Sequence, residues 1–102
     1  MKKTAHLKAK LVHRSKLVYP DGSIREMVIW RVPEPTAERP HSLKYRLYYG
    51  DATGTCLVRY DNETGKGDHK HIGGREEPYD FGTVETLVAD FQEDIDRFRR
   101  MR

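Results

Sequence analysis

The hydrophobic pattern changes period once, near residue 82, and that switch restricts the chain to folds in which strands come first and a single helix last. Before it, apolar residues recur at every second position. Leu7, Ala9, Leu11, His13, Ser15, Leu17 and Tyr19 fall on one side of an extended strand, and Lys8, Lys10, Val12, Arg14, Lys16 and Val18 on the other. Pro20-Asp21-Gly22-Ser23 supplies hairpin-turn chemistry. The return strand places Ile24, Val28, Trp30 and Val32 on one side and Arg25, Met27, Ile29 and Arg31 on the other. Pro33, Pro35 and Pro40 read as a loop, after which Leu43, Tyr45, Leu47 and Tyr49 alternate with Lys44, Arg46 and Tyr48. A turn over Gly50 to Gly54 then leads into Thr55 to Tyr60. Past the switch, Val84, Leu87, Val88, Phe91, Ile95 and Phe98 recur at spacings of three and four and form one helical stripe. Gly82 or Thr83 can cap this helix, and Arg97, Arg99, Arg100 and Arg102 crowd the end where its dipole favours cations.

The expected fold is therefore α+β: a four-stranded antiparallel meander within residues 5–60, a polar loop over 61–80, and a helix over 83–100 lying on one sheet face. Leu17, Trp30, Leu47 and Val58 are the expected contacts beneath the helix. At 102 residues the chain has room for one domain, residues 1–102. Cys56, the single cysteine, rules out an internal disulfide and a multi-thiolate zinc site, and its alternation with Val58 makes it a buried, inert thiol. No apolar run approaches the roughly 20 residues that span a bilayer. The first ten residues carry four lysines and no apolar stretch, so no secretory signal and no membrane partner are expected, and cytoplasm is the expected compartment.

The cations, 19 Lys and Arg against 16 Asp and Glu, matter through their placement. Lys8, Lys10, Arg14, Lys16, Arg25, Arg31, Lys44, Arg46 and Arg59 alternate outward and form a basic plate. Rows of cations suit phosphate backbones, and Tyr48 offers a ring for stacking on an unpaired base. Lys44, Arg46, Arg59, Arg31 and Tyr48 are the expected nucleic-acid contacts. The same plate, with Met27, Ile29 and Leu57 on it, also suits a protein partner, and a merely solvated sheet face accounts for it equally well.

The densest chemistry lies between sheet and helix, in the run Asp61 to Tyr79, which holds Gly65, Gly67, Gly73 and Gly74. Such a long polar loop in a small domain is functional or disordered. It is not a phosphate-binding loop of the nucleoside-triphosphatase kind, because Gly65-Lys66 is followed by Gly67 and not by Ser or Thr. His69 and His71 are two apart, so in extended backbone both rings project to one side and exchange protons near neutrality. With Lys66 and Arg75 balancing developing phosphorane charge, and Asp68 beside them, they form a set for metal-independent cleavage of RNA by its own 2′-hydroxyl. Two other readings stay open: a metal held by His69, His71, Asp68 and Asp61, and a turn whose polar groups serve only the local backbone. No cofactor and no metal is expected on the first reading. His41 is more simply a hydrogen-bonded strand-entrance residue, His13 a satisfied core histidine, and Trp30, Tyr45, Tyr49 and Tyr60 core aromatics.

Val28-Ile29-Trp30-Arg31, His41 with Lys44-Tyr45-Arg46-Leu47, Val58-Arg59-Tyr60-Asp61-Asn62-Glu63, Gly65-Lys66-Gly67-Asp68-His69-Lys70-His71 and Glu76-Glu77-Pro78-Tyr79-Asp80-Phe81 together resemble the TumE family of toxin–antitoxin proteins, over residues 5–96. The resemblance implies a prokaryotic, growth-inhibiting toxin that acts in the cytoplasm and is neutralised by an antitoxin with a DNA-binding domain. Two expectations follow: an RNA-cleaving toxin, or a non-enzymatic module that docks nucleic acid or protein through its basic sheet face.

Overall fold

A computed structural model describes residues 9–63 and 65–101; Leu7 and Lys8 of the expected first strand lie outside the described residues. The elements are β1 (Lys10–Val18), β2 (Ile24–Arg31), β3 (Leu43–Gly50), β4 (Cys56–Asp61), β5 (His69–Ile72), β6 (Arg75–Pro78) and α1 (Val84–Arg100). All six strands form one sheet in the order β1-β2-β3-β4-β5-β6, each antiparallel to its neighbour. The antiparallel meander and the closing helix match the sequence reading, but the sheet has six strands and not four. The two additional strands come from the stretch expected to be a loop. Gly73 and Gly74 form the tight turn between β5 and β6, with Gly73 at a φ of 64° that side-chain-bearing residues avoid.

Helix α1 starts at Thr83, whose hydroxyl accepts from the Thr86 N–H while the Thr86 hydroxyl accepts from the Thr83 N–H. Its apolar stripe buries Leu87, Phe91 and Ile95 against the sheet, where they meet Met27, Ile29, Leu43, Tyr45, Leu47, Tyr49, Val58 and Tyr60. Phe91 packs edge-on to Tyr60 with ring centroids 5.6 Å apart, and Tyr79 meets Tyr60 at 4.9 Å. Polar ties fasten the helix at both ends of this contact. Tyr60 donates to the buried Asp94, while Arg25 donates to Gln92 at 2.6 Å. Arg99 lies over the Tyr19 ring, 3.9 Å from its centroid, and donates to Asp21 and Ser23 in the first turn.

The face assignment of β2 is the reverse of the expected one. Register sets Met27 opposite Leu47 and Ile29 opposite Tyr45, so those two residues go under the helix and Ile24, Val28 and Trp30 turn to the opposite face. Both faces of β2 are apolar, so alternation within the strand cannot choose between them; pairing with β3 does. Of the four expected helix contacts, Leu47 and Val58 are fully buried, Leu17 is exposed on the edge strand, and Trp30 faces away. His13 is exposed and bonded to Ser15 instead of satisfied in a core. Cys56 is half-buried, and burial pushes its thiol pKa up.

Candidate functional site

With α1 covering one face, register assembles the other from two continuous rows of side chains. One row runs Arg14, Val28, Arg46, Asp61, His69 across five strands, and the next Lys16, Glu26, Tyr48, Arg59, His71, Glu76 across all six. Over the first four strands these rows line a groove of about 640 Å³ floored by Val28 and Trp30 and edged by Arg14, Lys16, Lys44 and Arg46. Asp61 belongs both to this groove and to the histidine cluster beside it.

In that cluster the buried Asp61 carboxylate, 2% exposed, is bracketed by two groups: Arg59 Nε stands 2.9 Å from Oδ2 and His69 Nε2 stands 2.6 Å from Oδ1. Both approaches lie off the hydrogen-bond line, so these are close polar contacts and not aligned bonds. His69 Nδ1 is 2.9 Å from the Gly67 carbonyl, which only accepts, so this nitrogen carries a proton. Nε2 faces the Asp61 carboxylate, which can only accept, so any proton carried there is held against a negative charge. His71 is the opposite case. Arg59 donates from Nη2 to His71 Nε2 at 2.9 Å, so Nε2 presents its lone pair and the proton sits on Nδ1. Burial of the ring, then the Arg59 guanidinium, pull the His71 pKa below its usual value against the opposing pull of Glu76. The two rings meet edge to face with centroids 5.4 Å apart.

Glu76 closes the cluster from β6. Its Oε2 lies 3.5 Å from His69 Nε2, 3.6 Å from His71 Nε2 and 3.3 Å from Lys66 Nζ. Slight desolvation pushes this carboxyl up, but the Lys66 ammonium and the two histidines pull harder, so it sits below the usual carboxylate range. The ligand atoms of His69, His71 and Glu76 fall within 4.8 Å of one another, so these three are the groups able to hold a metal ion among the described residues. The Arg59 guanidinium, bonded to His71 Nε2, occupies the lone pair such an ion needs and repels it. The same cation can attract a phosphate, against the opposing carboxylates of Asp61 and Glu76.

Of the residues expected to work together, the structure brings His69, His71 and Lys66 to one place; Asp68 borders a hollow shared with Lys66, His69 and Glu76 but turns its carboxylate away, and Arg75 lies apart. Asp68 is next to His69 in extended chain and so points to the other face. There its carboxylate accepts from Tyr45 Oη at 2.6 Å, His41 Nε2 at 3.1 Å and Asn62 Nδ2 at 3.4 Å. Within that network His41 Nδ1 accepts the Leu43 N–H at 3.1 Å, the His41 ring packs on Phe81 at 4.0 Å, and burial followed by the Asp68 contact drives the Tyr45 hydroxyl pKa upward. Arg75 pairs with Ile72 at the exposed end of the β5–β6 hairpin, one residue out of phase with Glu76. Of the expected nucleic-acid contacts, Lys44, Arg46, Arg59 and Tyr48 share the open face, with Arg46 over the Tyr48 ring at 5.5 Å. Arg31 registers with Leu43 on the helix side, and Arg25 is turned to Gln92, so neither belongs to the plate. Glu76 escaped the sequence reading. The signal for it was His71-Ile72-Gly73-Gly74-Arg75-Glu76, a two-glycine hairpin whose register places Glu76 directly opposite His71.

The family model described as toxin TumE matches residues 5–99 of this chain, close to the stretch that carries the sequence resemblance. No curated protein and no solved structure matches it. No helix among the described residues is long and apolar enough to cross a membrane.

Proposed function

The chain belongs to the TumE toxin family, which makes it the toxin half of a toxin–antitoxin pair with an antitoxin as its partner, and from that premise we propose that it inhibits growth by cleaving RNA without a metal. The observation behind this reading is the Arg59–His71–Glu76–His69 cluster. An imidazole presenting a lone pair at His71, a second imidazole set against the Asp61 carboxylate at His69, and the Arg59 guanidinium lie within one contact network, at the end of a cation-edged groove. A phosphodiester entering from the groove draws Arg59 off His71 Nε2. The freed lone pair takes the proton of the 2′-hydroxyl as its oxygen attacks phosphorus. His69 gives a proton to the departing 5′-oxygen, and Arg59 with Lys66 stabilises the charge that builds on the non-bridging oxygens. The products are a 2′,3′-cyclic phosphate and a 5′-hydroxyl, so the two proton transfers balance. Glu76 and Asp61 orient the two rings.

One observation favours a second reading: His69 is only 5% exposed, which suits a buried structural ion pair. On that reading the open face docks nucleic acid, or the antitoxin, without turnover. Incubating the purified protein with total RNA, with and without a chelator, separates the two. Chelator-resistant cleavage that leaves cyclic phosphate ends, and disappears in folded His71→Ala and Glu76→Gln variants, supports the enzyme. Intact RNA that is nevertheless bound supports the docking module, and cleavage abolished by the chelator refutes the metal-independent mechanism. The antitoxin is proposed to carry a DNA-binding domain and to cover this same face; growth arrest on expression alone, relieved by co-expression of the neighbouring gene product, tests the pairing.

A further inference from the structure

We infer that Trp30 is the floor of a nucleobase slot: an unpaired base of a single-stranded RNA stacks on its indole while the strand runs on to the histidine cluster. The inference rests on RNA being the target and adds a binding site to that reading. Trp30 had every reason to be core, being large and apolar in a strand, yet register turns it to the uncovered face, where it and Val28 are only half-buried at the bottom of the groove. An indole left there forgoes part of the burial that a core position would give it. An apolar floor ringed by charged side chains, about 640 Å³ in volume, has room for one planar ligand carrying charge at its edges.

Charge identifies the occupant. Arg14, Lys16, Lys44 and Arg46 edge the slot, against the carboxylates of Glu26, Glu63 and Asp61, and Asp61 is already paired with Arg59. The free excess is cationic, which fits the phosphates on either side of a stacked base and opposes an acidic ligand less than a basic one. Arg14 already lies over the indole, its guanidinium carbon 5.9 Å from the ring centroid. Arg14 is exposed on the edge strand, so it can lift to clamp a base against the indole from above. The direction of the strand follows from register. Trp30 sits beside Lys44, Arg46 is opposite Asp61, and Asp61 is opposite His69, so three strand spacings of about 4.8 Å separate slot and cluster. A few nucleotides of extended strand cover that distance, with Lys44 and Arg46 under the intervening phosphates.

Trp30 is the only tryptophan in the chain, so its fluorescence reports on the slot alone. The probe is a single-stranded oligouridylate of about eight residues, added to the non-cleaving His71→Ala protein. The expected result is saturable quenching of Trp30 emission that coincides with binding measured by anisotropy of the labelled strand. Trp30→Leu should weaken that binding by about 5- to 150-fold, the loss of one stacked base, and Trp30→Phe should restore most of it. Both variants should leave the salt dependence of binding unchanged, since no cation is removed. Should Trp30→Leu fail to fold, the quenching measurement and Trp30→Phe still decide. Binding with no change in emission overturns the slot, and so does quenching by an acidic polyglutamate peptide but not by RNA, which would mark a protein contact. Quenching by RNA that wild-type protein never cleaves leaves the slot standing and removes only the nuclease reading.

Discussion

Replacing Asn62 with alanine tests how the end of β4 holds the site in place. Asn62 is fully buried one residue beyond β4, and its side-chain amide takes the place of a strand backbone: Oδ1 accepts the Tyr45 N–H at 3.1 Å and Nδ2 donates to the Leu43 carbonyl at 2.7 Å. Its own carbonyl accepts from Arg39 Nε at 3.1 Å. Alanine leaves a buried donor and a buried acceptor of β3 without partners, at about 1–3 kcal/mol each, so about 2–6 kcal/mol in all. Against a typical total of about 5–15 kcal/mol that is a large fraction. Even its lower end lowers the melting temperature by about 8–16 °C in a domain near this size. Urea melts followed by circular dichroism measure the loss, with an unchanged denaturant slope showing that the unfolded state is not at issue. Asn62→Asp sharpens the argument. It keeps the acceptor for Tyr45 but turns an oxygen toward the Leu43 carbonyl and adds a carboxylate beside Asp68, now 3.4 Å from the amide nitrogen. It should be as damaging as alanine at neutral pH and recover in acid, where a protonated carboxyl again donates. A loss below about 1 kcal/mol in Asn62→Ala, or an Asn62→Asp protein as stable as wild type at neutral pH, would refute the strand-mimic account.

His71 should titrate below the ordinary histidine midpoint of about 6.5 when followed by proton NMR, and Arg59→Ala should move that midpoint upward; a midpoint unchanged by Arg59→Ala would show that the guanidinium does not face the ring. Because the folded value is the lower one, the unfolded chain binds more protons just below pH 6.5, so the His71 contribution to stability is complete above about that pH and is lost as pH falls through the folded midpoint. Tyr60→Phe should cost about 1.5–3 kcal/mol in a denaturant melt, because the buried Asp94 carboxylate loses its phenol donor and keeps only Lys70 and Arg97; a neutral result would mean that these two cations satisfy it alone. The Tyr60 hydroxyl, whose pKa burial and Asp94 both raise, should stay un-ionised in an alkaline absorbance titration until the protein unfolds.

Local periodicity determined the elements it could reach. The helix from Val84 to Arg100, its Thr83 cap and the first four strands are written in period and turn residues, because amphipathic burial and capping act over a few neighbours in the chain. The pairing of His69 with His71 on one side of an extended segment was legible for the same reason. Strands β5 and β6 were not: they are four residues each and almost wholly polar, and they hold together by pairing with an existing sheet edge at β4 and not by burying an apolar face of their own. The face that Trp30 presents lay equally beyond reach, since β2 is apolar on both sides and only its register against Tyr45 and Leu47 chooses between them. That register is a non-local choice, which puts Met27 and Ile29 under the helix and leaves the indole on the open face. Tertiary contacts likewise engage the Asp68 carboxylate with Tyr45 and His41, and the separate register of β6 on β5 brings Glu76 to the histidines across a two-glycine turn.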